Sequence, residues 1–272
     1  MTAVLPRAEP ETVRLGLVEA DLLAAHAGAG WPFPLRVPAF GRIAGERELL
    51  LDVAAQTLQA RRLADDAGPE GLAAEAVTAL RENRGVVHLV VTGAEGTTGV
   101  AAIVYRSAAL ICRQTLDDDP AGTLTLRRVP ETALIDALID EIPKVDPARA
   151  LPITVPAAAV DAAMALGEDP ENSEDDASRV RTLRALVRDH GGDPEALDHL
   201  VGLLVPVAGR GQLGATRDGR TPAGAELSWV DGPRGRVRVN RPGDGWLSVN
   251  PVRANDVRFA LGELATLARR PR

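Results

Sequence analysis

From residue 12 the chain alternates apolar and polar positions, as in Val13, Leu15 and Leu17 against Arg14 and Gly16. That period predicts a short strand over 12–17, followed by an amphipathic helix over 18–27 that Gly28 and Gly30 end. Trp31-Pro32-Phe33-Pro34-Leu35-Arg36-Val37-Pro38 cannot be helical, because its prolines remove amide donors and push the residues before them into extended geometry. An ordered, extended connector is expected there. Apolar positions at helical spacing then predict helices over 46–65 and 69–81, with Pro69 near the second start. Branched residues separated by Gly, Asp or polar breaks predict a four-stranded meander over 86–91, 100–105, 108–116 and 123–129. Pro130 opens a further helix through 141.

A proline-marked connector over 142–156 leads to a helix over 157–166. The stretch 167–178, with Glu168, Asp169, Glu171, Glu174, Asp175 and Asp176, lacks apolar anchors and reads as a mobile acidic loop. Helices over 179–189 and 194–205, strands over 212–217, 225–231, 236–240 and 246–249, and a closing helix over 253–268 complete the chain. Two helices, four strands and one helix thus occur twice. The expectation is a single α+β domain over residues 1–272, with pseudo-twofold halves at about 12–141 and 178–268. Its central sheet is expected to be antiparallel, since parallel pairing needs a crossover between consecutive strands.

Composition narrows the function classes. Hydrophobic residues make up 45% of 272 positions, enough for a proper core. Aromatics are only 3% and the formal net charge is −7, which argues against a nucleic-acid surface. Lys144 is the single lysine among many arginines, and with abundant Ala, Gly and Pro this is the composition of a GC-rich genome such as an actinobacterial one. One cysteine, Cys112, excludes an internal disulfide and points to the cytoplasm. Neither a signal-peptide layout nor an apolar run of spanning length occurs, so membrane insertion is not expected.

Candidate chemistry is sparse. Gly209-Arg210-Gly211-Gln212-Leu213-Gly214 matches the dinucleotide glycine fingerprint literally. That fingerprint works only between a strand and the helix it opens, whereas here a helix precedes and strands follow. A helix-to-strand turn needing positive φ is the expected role. Gly93-Ala94-Glu95-Gly96-Thr97-Thr98-Gly99 lacks the lysine of a phosphate loop and reads as a flexible hairpin loop. His26, His88, His190 and His199 show no paired zinc spacing, Asp117-Asp118-Asp119 is followed at once by Pro120 and reads as a charged turn, and Cys112 lies in a strand pattern as a buried apolar thiol. Trp229 and Trp246, at strand positions, are expected to serve core or inter-strand packing and not partner contact. No active site is legible, and no cofactor is expected.

Three segments carry a resemblance: Gly209 to Ala215; Leu227-Ser228-Trp229-Val230-Asp231 with Gly235-Arg236-Val237; and Trp246-Leu247-Ser248-Val249-Asn250-Pro251. Together they are similar to the signature of the EspG family, the substrate-specific chaperones of actinobacterial type VII secretion. The Pro32 to Pro38 connector and Ile153-Thr154-Val155-Pro156 agree more loosely. The resemblance implies a pseudo-symmetric sheet with two helical bundles and a cytosolic, non-enzymatic chaperone. Its client would be the helical tip of a secreted heterodimer, typically of the PE and PPE kind, or another type VII substrate, kept soluble for secretion. It places partner contacts on the loop Gly93, Ala94, Glu95, Gly96, Thr97 and Thr98, on the bundle residues Leu203, Leu204 and Val205, and on Gln212 of the sheet. Alternatives are an enzyme using the Gly209 to Gly214 turn, or a structural subunit of a secretion apparatus. A homodimer is left open.

Overall fold

Leu124 and Leu126 share one face of a strand and meet Leu15 and Val13 directly across a ladder, which is what the alternation at the start of the chain required. The computed structural model describes residues 12–269 apart from 42, 118, 120, 168–175 and 242; the expected acidic loop thus lies largely outside the described residues. Strand β1 (Thr12–Gly16) runs directly into α1 (Leu17–Ala27), then come α2 (Ala44–Ala60), the two-residue strands β2 (Ala64–Asp65) and β3 (Gly68–Pro69), and α3 (Gly71–Arg81). The meander is β4 (Gly85–Gly93), β5 (Gly96–Tyr105), β6 (Ala108–Thr115) and β7 (Thr123–Pro130), followed by a 3-10 turn (Glu131–Ala133) and α4 (Leu134–Ile139). After β8 (Ile153–Pro156) come α5 (Ala157–Gly167), α6 (Asp176–Asp189) and α7 (Pro194–Leu204). A second meander, β9 (Gly209–Arg217), β10 (Thr221–Gly232), β11 (Gly235–Asn240) and β12 (Trp246–Pro251), precedes α8 (Ala254–Arg269).

Ten strands are hydrogen-bonded in the order β1-β7-β6-β5-β4-β9-β10-β11-β12-β8. Read inward from either edge, the order is an early strand followed by a meander in reverse sequence. The expected antiparallel sheet and its pseudo-twofold topology are therefore present. The proline-marked connector over 142–156 contains β8. It is a four-residue edge strand, antiparallel to β12 with Val155 opposite Leu247, and its Pro156 is tolerated because an edge strand needs only one side of its ladder.

By contacts the chain divides into two compact units, Met1–Pro143 with Leu213–Glu226 and Arg258–Arg272, and Lys144–Gln212 with Leu227–Val257. In the first, Leu15, Ile103, Leu110, Leu124 and Leu126 pack with Leu23 of α1, Leu58 of α2 and Ala76 of α3. Each such leucine contributes on the order of 2 kcal/mol by burial. The intervening Val87, Leu89, Ala102, Val104 and Ile111 are buried as well, so β4 to β6 are covered on both faces, which is why they read as nearly continuous apolar runs. α8 lies so close to β4 that a Cβ on Gly85 would stand 2.5 Å from the Ala268 carbonyl oxygen. α1 ends at Gly28, which adopts φ 63° and closes back on Ala24 and Ala25.

α2 stops five residues before the expected end, because Arg62 takes φ 58° and the chain enters the β2–β3 ribbon. Pro69 consequently pairs with Ala64, and the expected helix starts just after it, at Gly71. The helix expected after Pro130 is only a 3-10 turn and the six residues of α4.

In the second unit Ile153, Val155, Leu203, Val237 and Val249 form the core. α7 starts as its sequence dictates, with Pro194 in the first turn and the Asp193 carboxylate accepting from the Glu195 amide at 2.9 Å. On the other face of the strands Trp229 is fully buried, as expected, while Trp246 is exposed. Trp246 occupies the first position of β12, opposite Pro156 of the edge strand.

Candidate functional site

The glycine fingerprint is not a turn. Gly209, Gly211 and Gly214 lie within β9, and none is among the positive-φ glycines. For Gly211 and Gly214 the need is steric. A Cβ on Gly211 would come within 2.0 Å of the Trp229 indole, and one on Gly214 within 2.7 Å of His88 Nε2. The segment is itself the strand that follows α7 and leads into β10, so its amides serve the sheet and open no helix whose N-terminus would hold a phosphate.

The remaining candidates for chemistry disperse. His26, His190 and His199 are exposed and His88 is buried; among the described residues no group of three or more His, Cys, Asp or Glu side chains is placed to hold a metal. Burial pushes the Cys112 thiol far up, leaving it protonated and inert. The Tyr105 hydroxyl, bonded to the Glu75 carboxylate, is pushed up to about 12, first by burial and then by that bond. Among the described residues no helix is long and apolar enough to cross a membrane.

The segment expected to meet a helical partner is tighter than a flexible loop. Gly93 pairs with Gly96, Thr92 with Thr97 and Val91 with Thr98, so only Ala94 and Glu95 turn the chain, with Gly96 at φ 108°. The Thr92 and Thr97 hydroxyls lie 3.0 Å apart, and the Leu116 amide donates to the Thr97 carbonyl at 2.7 Å. Gly93, Ala94, Glu95 and Gly96 are exposed; Thr97 and Thr98 are half-buried.

Beside this hairpin lies a residue that pattern reading did not single out. Phe33 is 59% exposed, yet its surroundings are fixed. Its ring stands edge-on to His88, 5.0 Å between centroids at 87°. Pro34 lies over Gly99, where a Cβ would meet its Cγ at 2.9 Å. Trp31 Nε1 donates to the Ala20 carbonyl at 2.9 Å. Two residues beyond Pro34, the Arg36 amide donates to Gln114 Oε1 at 2.7 Å, and Gln114 Nε2 donates back to the Arg36 carbonyl at 2.9 Å. The buried glutamine thereby pairs with the connector as a neighbouring strand would. The only advance sign was the proline-rich composition; exposure of the ring is set by contacts distant in sequence.

The other candidates lie in the second unit. Leu203 is 1% exposed and belongs to its core, so it is removed from the partner surface. Leu204 packs partly against the same cluster, Gln212 is half-buried in β9, and Val205 is exposed together with Val201 and Val207. Val201, Val205 and Val207 therefore give this unit an apolar patch at the end of α7.

In its described residues the chain thus forms a ten-stranded antiparallel sheet with helices packed on it and hydrophobic side chains left exposed in each unit. Its fold matches that of the Mycobacterium tuberculosis type VII secretion system chaperone EspG5, solved in complex with the PE25-PPE41 dimer: TM-score 0.64, 13% identity, 96% of this chain and 98% of that one. The model of the EspG family matches residues 17–263, and the chain belongs to that family. No curated protein matches it.

Proposed function

We propose that this protein is a cytoplasmic, non-catalytic chaperone of type VII secretion. It binds the helical tip of a PE–PPE heterodimer and keeps it soluble for export, the whole chain acting as one EspG-type domain. The observation that carries this reading is the family match over residues 17–263, and the fold it shares with a chaperone solved on such a dimer supports it. The contact residues are the hairpin Gly93 to Thr98 with Phe33 beside it, and in the second unit Val205, Leu204 and Gln212. An exposed aromatic on a fixed platform contributes binding energy with little ordering cost.

The test is co-expression with the PE–PPE pairs of the host. At least one pair should become soluble and co-purify only when this chain is present, and Phe33→Ala with Glu95→Arg should weaken that complex by tenfold or more, about 1.4 kcal/mol, with the fold intact. Clients equally soluble without the chain, or none captured, would defeat the reading.

A further inference from the structure

At the β1 edge the sheet is core on one face and polar on the other. Val13 and Leu15 of β1, Leu124 and Leu126 of β7, and Leu110 and Cys112 of β6 belong to the core of the first unit, so strand alternation turns Arg14, Thr125, Arg127 and Arg113 to the opposite face. The register fixes their spacing. Arg14 stands opposite Thr125, and Thr125 opposite Arg113, which puts these two arginines two strands, or about 10 Å, apart. Arg127 lies two residues along β7, diagonal to both at about 7–8 Å. Arg14 and Arg113 are exposed and Arg127 is half-buried, so the corner is open to solvent.

A single carboxylate answers the three guanidinium groups. Glu141, just past α4, lies 3.4 Å from Arg113 Nε and 3.8 Å from Arg127 Nη2, and it forms a close bidentate pair with neither. Arg14 Nε donates to Thr123 Oγ1 at 2.9 Å, and among the described residues Arg14 has no ion pair. Like charges on neighbouring strands repel, so the corner holds a local positive excess in a chain of formal net charge −7. We propose that it docks an acidic, extended segment of a partner protein, with Asp or Glu at alternating positions. Alternate side chains of an extended chain lie about 7 Å apart, the diagonal spacing of these arginines, and the guanidinium fork matches a carboxylate. Recognition falls to the face and not to the free edge of β1, because Arg61 Nη2 donates to the Arg14 carbonyl and the Gly16 amide donates to Glu19. Three arginines on an acidic chain are too few to hold it to a nucleic acid or an anionic membrane. None of the three is assigned to the client, and the proposal does not rest on that reading.

The probe is a capped peptide of about nine residues with glutamate at alternate positions and threonine between them, titrated into the intact chain by calorimetry. It should bind, more weakly at higher salt, and the same peptide with glutamine for glutamate should not. Arg14→Gln with Arg113→Gln and Arg127→Gln should weaken binding at least about tenfold. The same change at the exposed Arg181, Arg188 and Arg253 alters net charge equally and should leave the affinity within about twofold. Glu141→Gln removes the competing carboxylate and should tighten binding. An equal loss in the two triple variants overturns the proposal, since net charge alone would then account for the binding. So does no heat with the glutamate peptide, or unchanged affinity in the variant of Arg14, Arg113 and Arg127. Tighter binding of inorganic phosphate or phosphatidylserine vesicles than of the peptide, lost in that variant, also overturns it and gives the corner to phosphate groups.

Discussion

Gly211 lies flat beneath the indole of Trp229, where a Cβ would stand 2.0 Å from Cζ2 and 2.4 Å from Cε2. Trp229 is also stacked from another side, with the Arg236 guanidinium 5.0 Å from its ring, so the indole has little freedom to yield.

Gly211→Ala should therefore cost about 3 kcal/mol, the upper range for forcing a methyl into a packed core, and lower Tm by on the order of 10 °C. With Trp229→Leu in the background the extra cost of alanine should shrink to under about 1 kcal/mol, because the obstructing ring is gone. A full and additive loss in the double variant would show that the glycine serves backbone conformation and not the ring.

Arg236 and Asp231 form a bidentate pair at 2.7 and 2.8 Å with side chains only 6% and 8% exposed. Asp231→Asn leaves a guanidinium buried without its counter-charge and should destabilise by about 3–5 kcal/mol in denaturant unfolding. Arg236→Met, which keeps the stem against Trp229, strands the carboxylate and should cost a similar amount. The double variant Asp231→Leu with Arg236→Met should lose less than either single change. If it loses their sum, the pair is not acting as a unit.

Gln114 offers a prediction that links stability to binding. Removing its amide in Gln114→Ala deletes two hydrogen bonds to Arg36 and strands a backbone amide, at about 2 kcal/mol. The connector then loses its clamp, and client capture should weaken although Gln114 is buried and touches no partner. Thermal unfolding and a client pull-down on the same preparation separate the two effects; unchanged capture at reduced Tm would make the clamp structural only.

What was legible in the sequence follows from how local each signal is. The meander is readable because β4 to β6 are buried on both faces and β7 alternates apolar with polar positions, and α7 because Asp193 and Pro194 specify its start within three positions. β8 was lost in a proline-marked connector, since an edge strand of four residues carries little periodicity. The glycines of β9 were misread as a turn because their role is to make room for Trp229 and His88, the one 18 residues later and the other over a hundred residues earlier. The hairpin was located correctly but taken for a flexible loop, since pattern alone does not reveal that Thr97 and Thr98 are paired. Phe33 was invisible as a surface anchor for the same reason: Gln114, which holds its connector, is separated from Arg36 by 78 positions.

His88 gives the last prediction, a pH dependence with a defined sign. It is 5% exposed, lies against Phe33 and the empty side of Gly214, and its Nδ1 has no hydrogen-bond partner among the described residues. Burial pulls its pKa below the ordinary 6.5, and the charge of Glu226 opposes that pull more weakly. Below pH 6.5 the unfolded chain accepts a proton that the folded chain refuses. The stabilising difference is therefore complete above that value and is lost as pH falls toward the depressed folded pKa. Unfolding midpoints measured from about pH 7.5 to 5.5 should fall more steeply for the unmodified chain than for His88→Leu, which has no proton to refuse. Glu226→Gln should steepen the fall, because it removes the one charge that favours the imidazolium. Parallel profiles for the unmodified chain and His88→Leu would mean that the ring titrates in the fold as it does in water, and that the pocket beside Phe33 is wetter than its burial states.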